Sequence, residues 1–145
     1  MSEANKAVAD RFHLIFQERN FVVADEIIAP DFVMHAPGLP PEMPPGPEGA
    51  KQYATMVRAG FPVHFEITHE DIMAEGDKVV IRWTARGTHT GEFMGIPPTG
   101  KQIMITGMDI FRIAGGKLVE LWQNWDQLGM LQQLGVVPPP EQGGG

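Results

Sequence analysis

The chain contains no cysteine. Disulfides, thiolate metal sites and cysteine nucleophiles are therefore excluded, and a reducing, cytoplasmic setting fits. Concentrated positive charge is also missing. Eleven Lys and Arg stand against 18 Asp and Glu, for a net charge of -7 with no basic cluster. Nucleic acid and anionic membrane are not expected as partners. No apolar run approaches the roughly 20 residues of a membrane-spanning helix. The polar start, Met1 to Asp10, has no apolar signal core. There is no G-x-S-x-G elbow, no phosphate-binding loop and no G-x-G-x-x-G turn. Nucleophilic, phosphoryl-transfer and hydride-transfer chemistry thus have no motif to rest on. The five histidines form no HxH or HxxxH pair, so neither a metal nor any other cofactor is expected.

What is present suits one globular domain. The 145 residues are 43% hydrophobic, enough for a real core. The domain is read as residues 1–137, followed by a Pro/Gly-rich tail, 138–145, expected to be disordered. Val8, Phe12, Ile15 and Phe16 fall on one stripe of a first helix. A short helix over Val23 to Ile28 follows, stopped by Pro30, then a strand over Phe32 to His35. The crowded stretch Pro37 to Pro47 reads as an ordered loop, a candidate lid. Pro47 opens a third helix. Val63, Phe65 and Ile67 alternate with polar residues, as in a half-buried strand. Three further strands run from Lys78 to His89, Ile103 to Ile113 and Leu118 to Asp126, and Leu128 to Leu134 forms a last helix. Gly91 to Gly100 is a second loop, and Gly115-Gly116 supplies a hairpin turn. Helices first and antiparallel strands after give an α+β layout: a curved sheet lined by three N-terminal helices, with a hollow for a small hydrophobic molecule. Gly87 and Gly107 permit the bending.

The hairpin register places the chemistry. With Gly115-Gly116 as the turn, Asp109 faces Trp122, Gly107 faces Asn124 and Ile105 faces Asp126. Asp109, Trp122, Asn124 and Asp126 would then share one face. A carboxylate among apolar walls loses water, rises in pKa and becomes a better base toward carbon. Asp126 is the first choice of base and Asp109 the second. Asp126 also suits a plain cap on the last helix, and Asp109 a structural pair with Arg82 or Arg112. His35 and His89 end strands beside the two loops, where they suit a cleft rim and an enolate-stabilising role. His64 and His69 read as solvent-facing, and His13 as surface. Trp83, Phe93, Met34, Met56 and Met94 are candidate pocket walls with Trp122 and Asn124.

Two stretches carry a resemblance. Gly87-Thr88-His89-Thr90-Gly91-Glu92-Phe93-Met94-Gly95-Ile96-Pro97-Pro98-Thr99-Gly100-Lys101 is one. Gly116-Lys117-Leu118-Val119-Glu120-Leu121-Trp122, with Asp126 and Leu128 to Gly135, is the other. Together they resemble the SnoaL-like polyketide (ester) cyclases. The resemblance implies the cone-shaped α+β barrel of the nuclear-transport-factor-two-like proteins. It also implies intramolecular aldol cyclisation of a polyketide ester without metal or cofactor. In that family an aspartate at the end of the last long strand is the acid/base, a position Asp126 matches, and a histidine on the preceding strand assists, where Asp109 is nearest here.

The expected substrate is a small hydrophobic carbonyl compound. Epoxide hydrolysis by Asp109 and Asp126 with Arg82 or Arg112, and ligand binding without chemistry, are the alternatives. A homodimer through the outer sheet face is expected, with Trp125, Leu121 and Ile110 as contact candidates.

Overall fold

The computed structural model describes residues 2–138. The expected tail lies, apart from Pro138, outside the described residues. The helices are α1 (Ser2–Asp10), α2 (Leu14–Gln17), α3 (Phe21–Ile27), α4 (Pro47–Gly60) and α5 (Gln127–Gln133). The strands are β1 (Ile28–His35), β2 (Phe65–Glu75), β3 (Lys78–Thr88), β4 (Gln102–Ala114) and β5 (Lys117–Trp125). They form one open sheet in the order β1-β5-β4-β3-β2. β1 runs parallel to β5, and every other neighbour is antiparallel. The curved sheet with helices on its concave face is the α+β cone the sequence implied. Pro30 does not stop a helix but lies inside β1, where the register with β5 shifts between Ile28 and Val33. An edge strand tolerates proline because one side of its backbone needs no partner.

The expected single first helix is divided. Beyond Asp10 the chain tightens: Arg11 N–H donates to Val8 O, Phe12 to Ala9 O and Leu14 to Arg11 O. These i to i−3 bonds wind about three residues per turn instead of 3.6. The tighter winding rotates His13 off the surface, where the stripe had put it, and into the interior at 5% exposure. Phe12, Ile15 and Phe16 stay in the core as expected. Arg58 of α4 fastens this segment. Its buried guanidinium donates to the carbonyls of Phe16, Gln17, Phe61 and Pro62.

The inner face of the sheet is set by alternation and by two bulges. On β3 it carries Val79, Ile81, Trp83 and Ala85; on β4 it carries Ile103, Ile105, Asp109, Phe111 and Ile113. In β2 the register shifts between His69 and Asp71, so Phe65, Ile67 and His69 face inward before the bulge and Ile72 and Ala74 after it. The β4–β5 hairpin turns at Gly115 and Gly116, both at positive φ, and begins as expected with Ala114 opposite Lys117 and Ile113 opposite Leu118. Then Arg112 pairs with Glu120, leaving Val119 as an extra residue. That bulge moves every later pair by one, and a one-residue slip exchanges the faces. Asp109 therefore faces Gln123, and Gly107 faces Trp125. The expected four-residue face is overturned: Asp109 points inward, while Trp122, Asn124 and Asp126 line a groove on the outer side. Of the contact candidates for a second copy, Leu121 is core and Trp125 lines the interior; Ile110 is outside.

The two loops meet beside Trp125, a lining residue of the hollow. Trp125 Nε1–H donates to Pro37 O (3.1 Å). Gly38 lies against Met94, which has a φ of 52°, an uncommon conformation for a side-chain-bearing residue. Gly60 and Gly91 let the second loop dock on the end of α4, because a Cβ at either would overlap Phe93 or the Ala59 carbonyl. His89, fully buried, anchors that loop's exit: Thr99 N–H donates to His89 Nδ1 (3.2 Å), and the Thr99 hydroxyl sits 2.9 Å away.

Gly107 is a site of close approach. A Cβ there would overlap the Trp83 indole. Gly107→Ala is expected to cost about 1–3 kcal/mol by overpacking, read as a lower urea midpoint with unchanged m; an unchanged midpoint contradicts this packing. Burial holds the His89 pKa below its ordinary value. The unfolded chain takes up that proton near pH 6.5, so stability is full above this value and is lost as pH falls toward the folded pKa. The Tm should drop between pH 7.5 and 5, and His89→Gln should shrink that drop.

Candidate active site

The hollow of the cone is lined by Phe16, Tyr53, Val57, Phe61, Phe65, Ile67, Ala85, Phe93, Ile105 and Trp125, with His13, Trp83 and Gln123 as its polar floor. Its free volume is about 60 Å³. Directly behind that floor lies Asp109, with 0% exposure. Trp83 Nε1–H donates to Asp109 Oδ1 at 3.0 Å, and Gln123 Nε2–H donates to the same oxygen at 2.9 Å. His13 Nε2 stands 2.9 Å from Asp109 Oδ2. This last contact is short but poorly directed, so neither atom has a well-aligned hydrogen bond. Buried polar atoms left in this state are uncommon and often mark chemistry. Neither arginine reaches Asp109: Arg82 pairs with Asp71 (2.7 Å) and Arg112 with Glu120 (3.2 Å).

Local structure explains each position. Trp83 and Gln123 are inward residues of β3 and β5, the neighbours of β4 on either side. The missing side chain at Gly107 lets the indole lie over β4 and reach Asp109. His13 comes from the tightened turn after α1, and Tyr53 from the buried face of α4. Burial first, and then the negative charge of Asp109, raise the Tyr53 pKa. Its hydroxyl stays protonated across the physiological range and is available as a donor. His13 Nδ1 is 2.7 Å from His69 Nε2, and His69 Nδ1 is 2.9 Å from Asp10 Oδ1. Burial and the neighbouring His13 lower the His69 pKa, opposed by Asp10. His69 is thus not solvent-facing as expected. It continues the Phe65, Ile67 alternation, and that signal could have placed it.

The other expected site residues disperse. Trp83 and Phe93 do line the cavity. Asp126 is exposed and caps α5, its Oδ1 accepting from Gly129 N–H at 2.8 Å. Trp122 and Asn124 share the outer groove with it. His35 Nε2 bonds Glu120 Oε2 at 2.8 Å and its ring stacks on Trp122, away from the cavity. That hydrogen bond, and a further one from Arg112, lower the Glu120 pKa. His89 serves the second loop and is not among the lining residues, although its ring lies against Phe61. Met94 lies against Gly38 of the first loop, Met34 is in a separate cleft beside that loop, and Met56 of α4 is half-buried; none of the three lines the cavity. His13, Tyr53, Gln123 and His69 were the site residues not anticipated. The bulge at Val119 and the tightened turn after Asp10, which bring Gln123 and His13 inside, have no clear local signature.

The chain is similar to known proteins along most of its length. The chain is 31% identical over 120 residues to the nogalonic acid methyl ester cyclase of Streptomyces nogalater, covering 82% of this chain and 88% of that protein. It is 27% identical over 119 residues to the aklanonic acid methyl ester cyclase of Streptomyces peucetius, covering 81% and 78%. Among solved structures, TsrD from Streptomyces laurentii superposes with a TM-score of 0.83 at 27% identity, covering 93% of this chain and 97% of that one. IdmH from Streptomyces antibioticus gives 0.77 at 37% identity, covering 90% and 98%. The SnoaL-like polyketide cyclase family model matches residues 6–134, and the chain belongs to that family.

Proposed function

We propose that the protein closes a ring in a hydrophobic polyketide-like ester by cofactor-free acid/base catalysis at the floor of the cone. One observation carries this reading: a carboxylate, Asp109, wholly buried behind the polar floor of an otherwise apolar cavity and aligned by Trp83 and Gln123. Ordinary ion pairing does not account for it, because no arginine or lysine reaches it among the described residues. The cyclase names of the curated relatives support the same class of chemistry.

The reaction is an intramolecular aldol addition. A carbon between two carbonyl groups gives up a proton to the Asp109–His13 pair. The enolate carbon attacks a second carbonyl of the same molecule, a C–C bond forms, and the new alkoxide takes up a proton. Substrate and product are isomers, so no oxidant or leaving group is needed. The poorly directed contact between His13 Nε2 and Asp109 Oδ2 leaves the acceptor little to break when substrate arrives. Tyr53 O–H and Gln123 N–H are the donors for the enolate oxygen, a stabilisation worth about 3–4 kcal/mol for one oxyanion-hole donor in a preorganised site. The aromatic walls hold the chain folded, so its reacting carbons meet at low entropic cost. A free volume of about 60 Å³ does not admit a fused ring system. Seating one therefore requires lining side chains to move, and Phe93 is the lining residue carried by the second loop.

Nogalonic acid methyl ester and aklanonic acid methyl ester are the test compounds. Asp109→Asn should lower turnover of an accepted ester by about 100-fold or more, the usual weight of a general base, while near-UV circular dichroism stays native. Asp126→Ala should cost about 1 kcal/mol of stability as a lost helix cap and change turnover less than threefold. The reverse pattern would transfer the base to the outer groove.

A further inference from the structure

A string of contacts leads from the cavity floor to the surface. Asp109 Oδ2 meets His13 Nε2 at 2.9 Å, His13 Nδ1 meets His69 Nε2 at 2.7 Å, and His69 Nδ1 meets Asp10 Oδ1 at 2.9 Å. Exposure rises along it. The side chains of Asp109, His13, His69 and Asp10 are 0, 7, 16 and 56% exposed. The four come from β4, the turn after α1, β2 and the last residue of α1. Trp83 and Gln123 hold the inner end, and Tyr53 is the other titratable group facing Asp109. The His13 ring is packed between Phe12, Phe16 and Trp83, which shield it from water.

Each link fixes the next proton. A carboxylate only accepts, so His69 Nδ1 carries the hydrogen given to Asp10. With His69 neutral, its Nε2 is a lone pair, and His13 Nδ1 must be the donor. The last contact, between His13 Nε2 and Asp109 Oδ2, is where the proton taken from substrate enters.

We propose that Asp10, His69 and His13 are a proton path that connects Asp109 to solvent while the cone is closed. The proposal rests on Asp109 being the group that takes the substrate proton. The transfer balances. Asp109 Oδ2–H passes its proton to His13 Nε2; the His13 Nδ1 proton moves to His69 Nε2; the His69 Nδ1 proton moves to Asp10, which releases it to water. Both rings end in the opposite tautomer, and the reverse sequence returns a proton for the product alkoxide. The lowered His69 pKa keeps that ring neutral near pH 7, the state that can both donate and accept. Asp10 and His69 are positioning residues in this scheme, acting on substrate through the Asp109–His13 pair.

A merely structural role would pin α1 to the sheet. Two conservative variants separate the roles. His69→Gln can still accept from His13 and donate to Asp10 but cannot relay a proton. Asp10→Asn keeps an acceptor oxygen but does not take up a proton. The probe is nogalonic acid methyl ester in D₂O, with deuterium entry into recovered ester and ring closure measured together against an enzyme-free control. The ratio of exchange to cyclisation should fall at least fivefold in both variants, with Tm within a few degrees of the parent. An unchanged ratio overturns the path. If the parent turns over no ester, the catalytic reading has failed, and the path is judged by ¹⁵N correlation spectra of the imidazoles. These should show His69 as the Nδ1–H tautomer near pH 7 and a His13 resonance that changes in Asp109→Asn. A His69 in the Nε2–H form, or a His13 indifferent to Asp109→Asn, overturns it.

Discussion

The site depends on keeping one carboxylate out of water. Asp109 is tolerated in the core because Trp83 and Gln123 donate to one oxygen and His13 stands against the other. A buried charge without such partners would cost several kcal/mol. Each partner has its own structural condition. The indole needs the empty space at Gly107, the amide needs the bulge at Val119, and the imidazole needs the tightened turn after Asp10. Those three local irregularities turn an ordinary curved sheet into a site.

Placement on the inner or outer face decides chemistry as much as residue type does. Asp109 and Asp126 are both aspartates near the last hairpin, yet their surroundings give them different work. Asp109 is dry, and its position is fixed by the hydrogen bonds from Trp83 and Gln123. Asp126 is wet and bonded to the first turn of α5, where a carboxylate satisfies an otherwise orphaned N–H. The same contrast separates His13, between two titratable partners, from His35, on an exposed edge beside Glu120.

Most of the fold was legible in the sequence. Period-2 alternation located the strands from Phe65 to Trp125, Gly115-Gly116 located the hairpin turn, and Pro47 located the start of α4, because these signals are local and strong. The site was only half legible. Trp83 could be named from alternation along its strand, Asp109 from the hairpin register, and Phe93 as an aromatic of the second loop. Register beyond the turn could not be read, because a bulge is one unpaired residue whose cost is settled by tertiary packing. Ideal pairing from Gly115-Gly116 put Asp109 with Trp122 and Asn124, and the extra Val119 exchanged the two faces from Glu120 onward. His13 escaped for the same kind of reason: a 3.6-residue period assumed through Phe16 cannot anticipate three tighter residues.

The cone interior and the outer groove make opposite demands on a bound substrate, and a crystal structure with aklanonic acid methyl ester or its cyclised product distinguishes them. The expected result places the ring-forming carbons at the cavity floor, within about 3.5 Å of the polar atoms of His13, Gln123 or Asp109, a near-attack distance. A ligand seated instead on the outer face, beside Trp122, Asn124 and Asp126, would contradict the assignment of Asp109 as the acid/base.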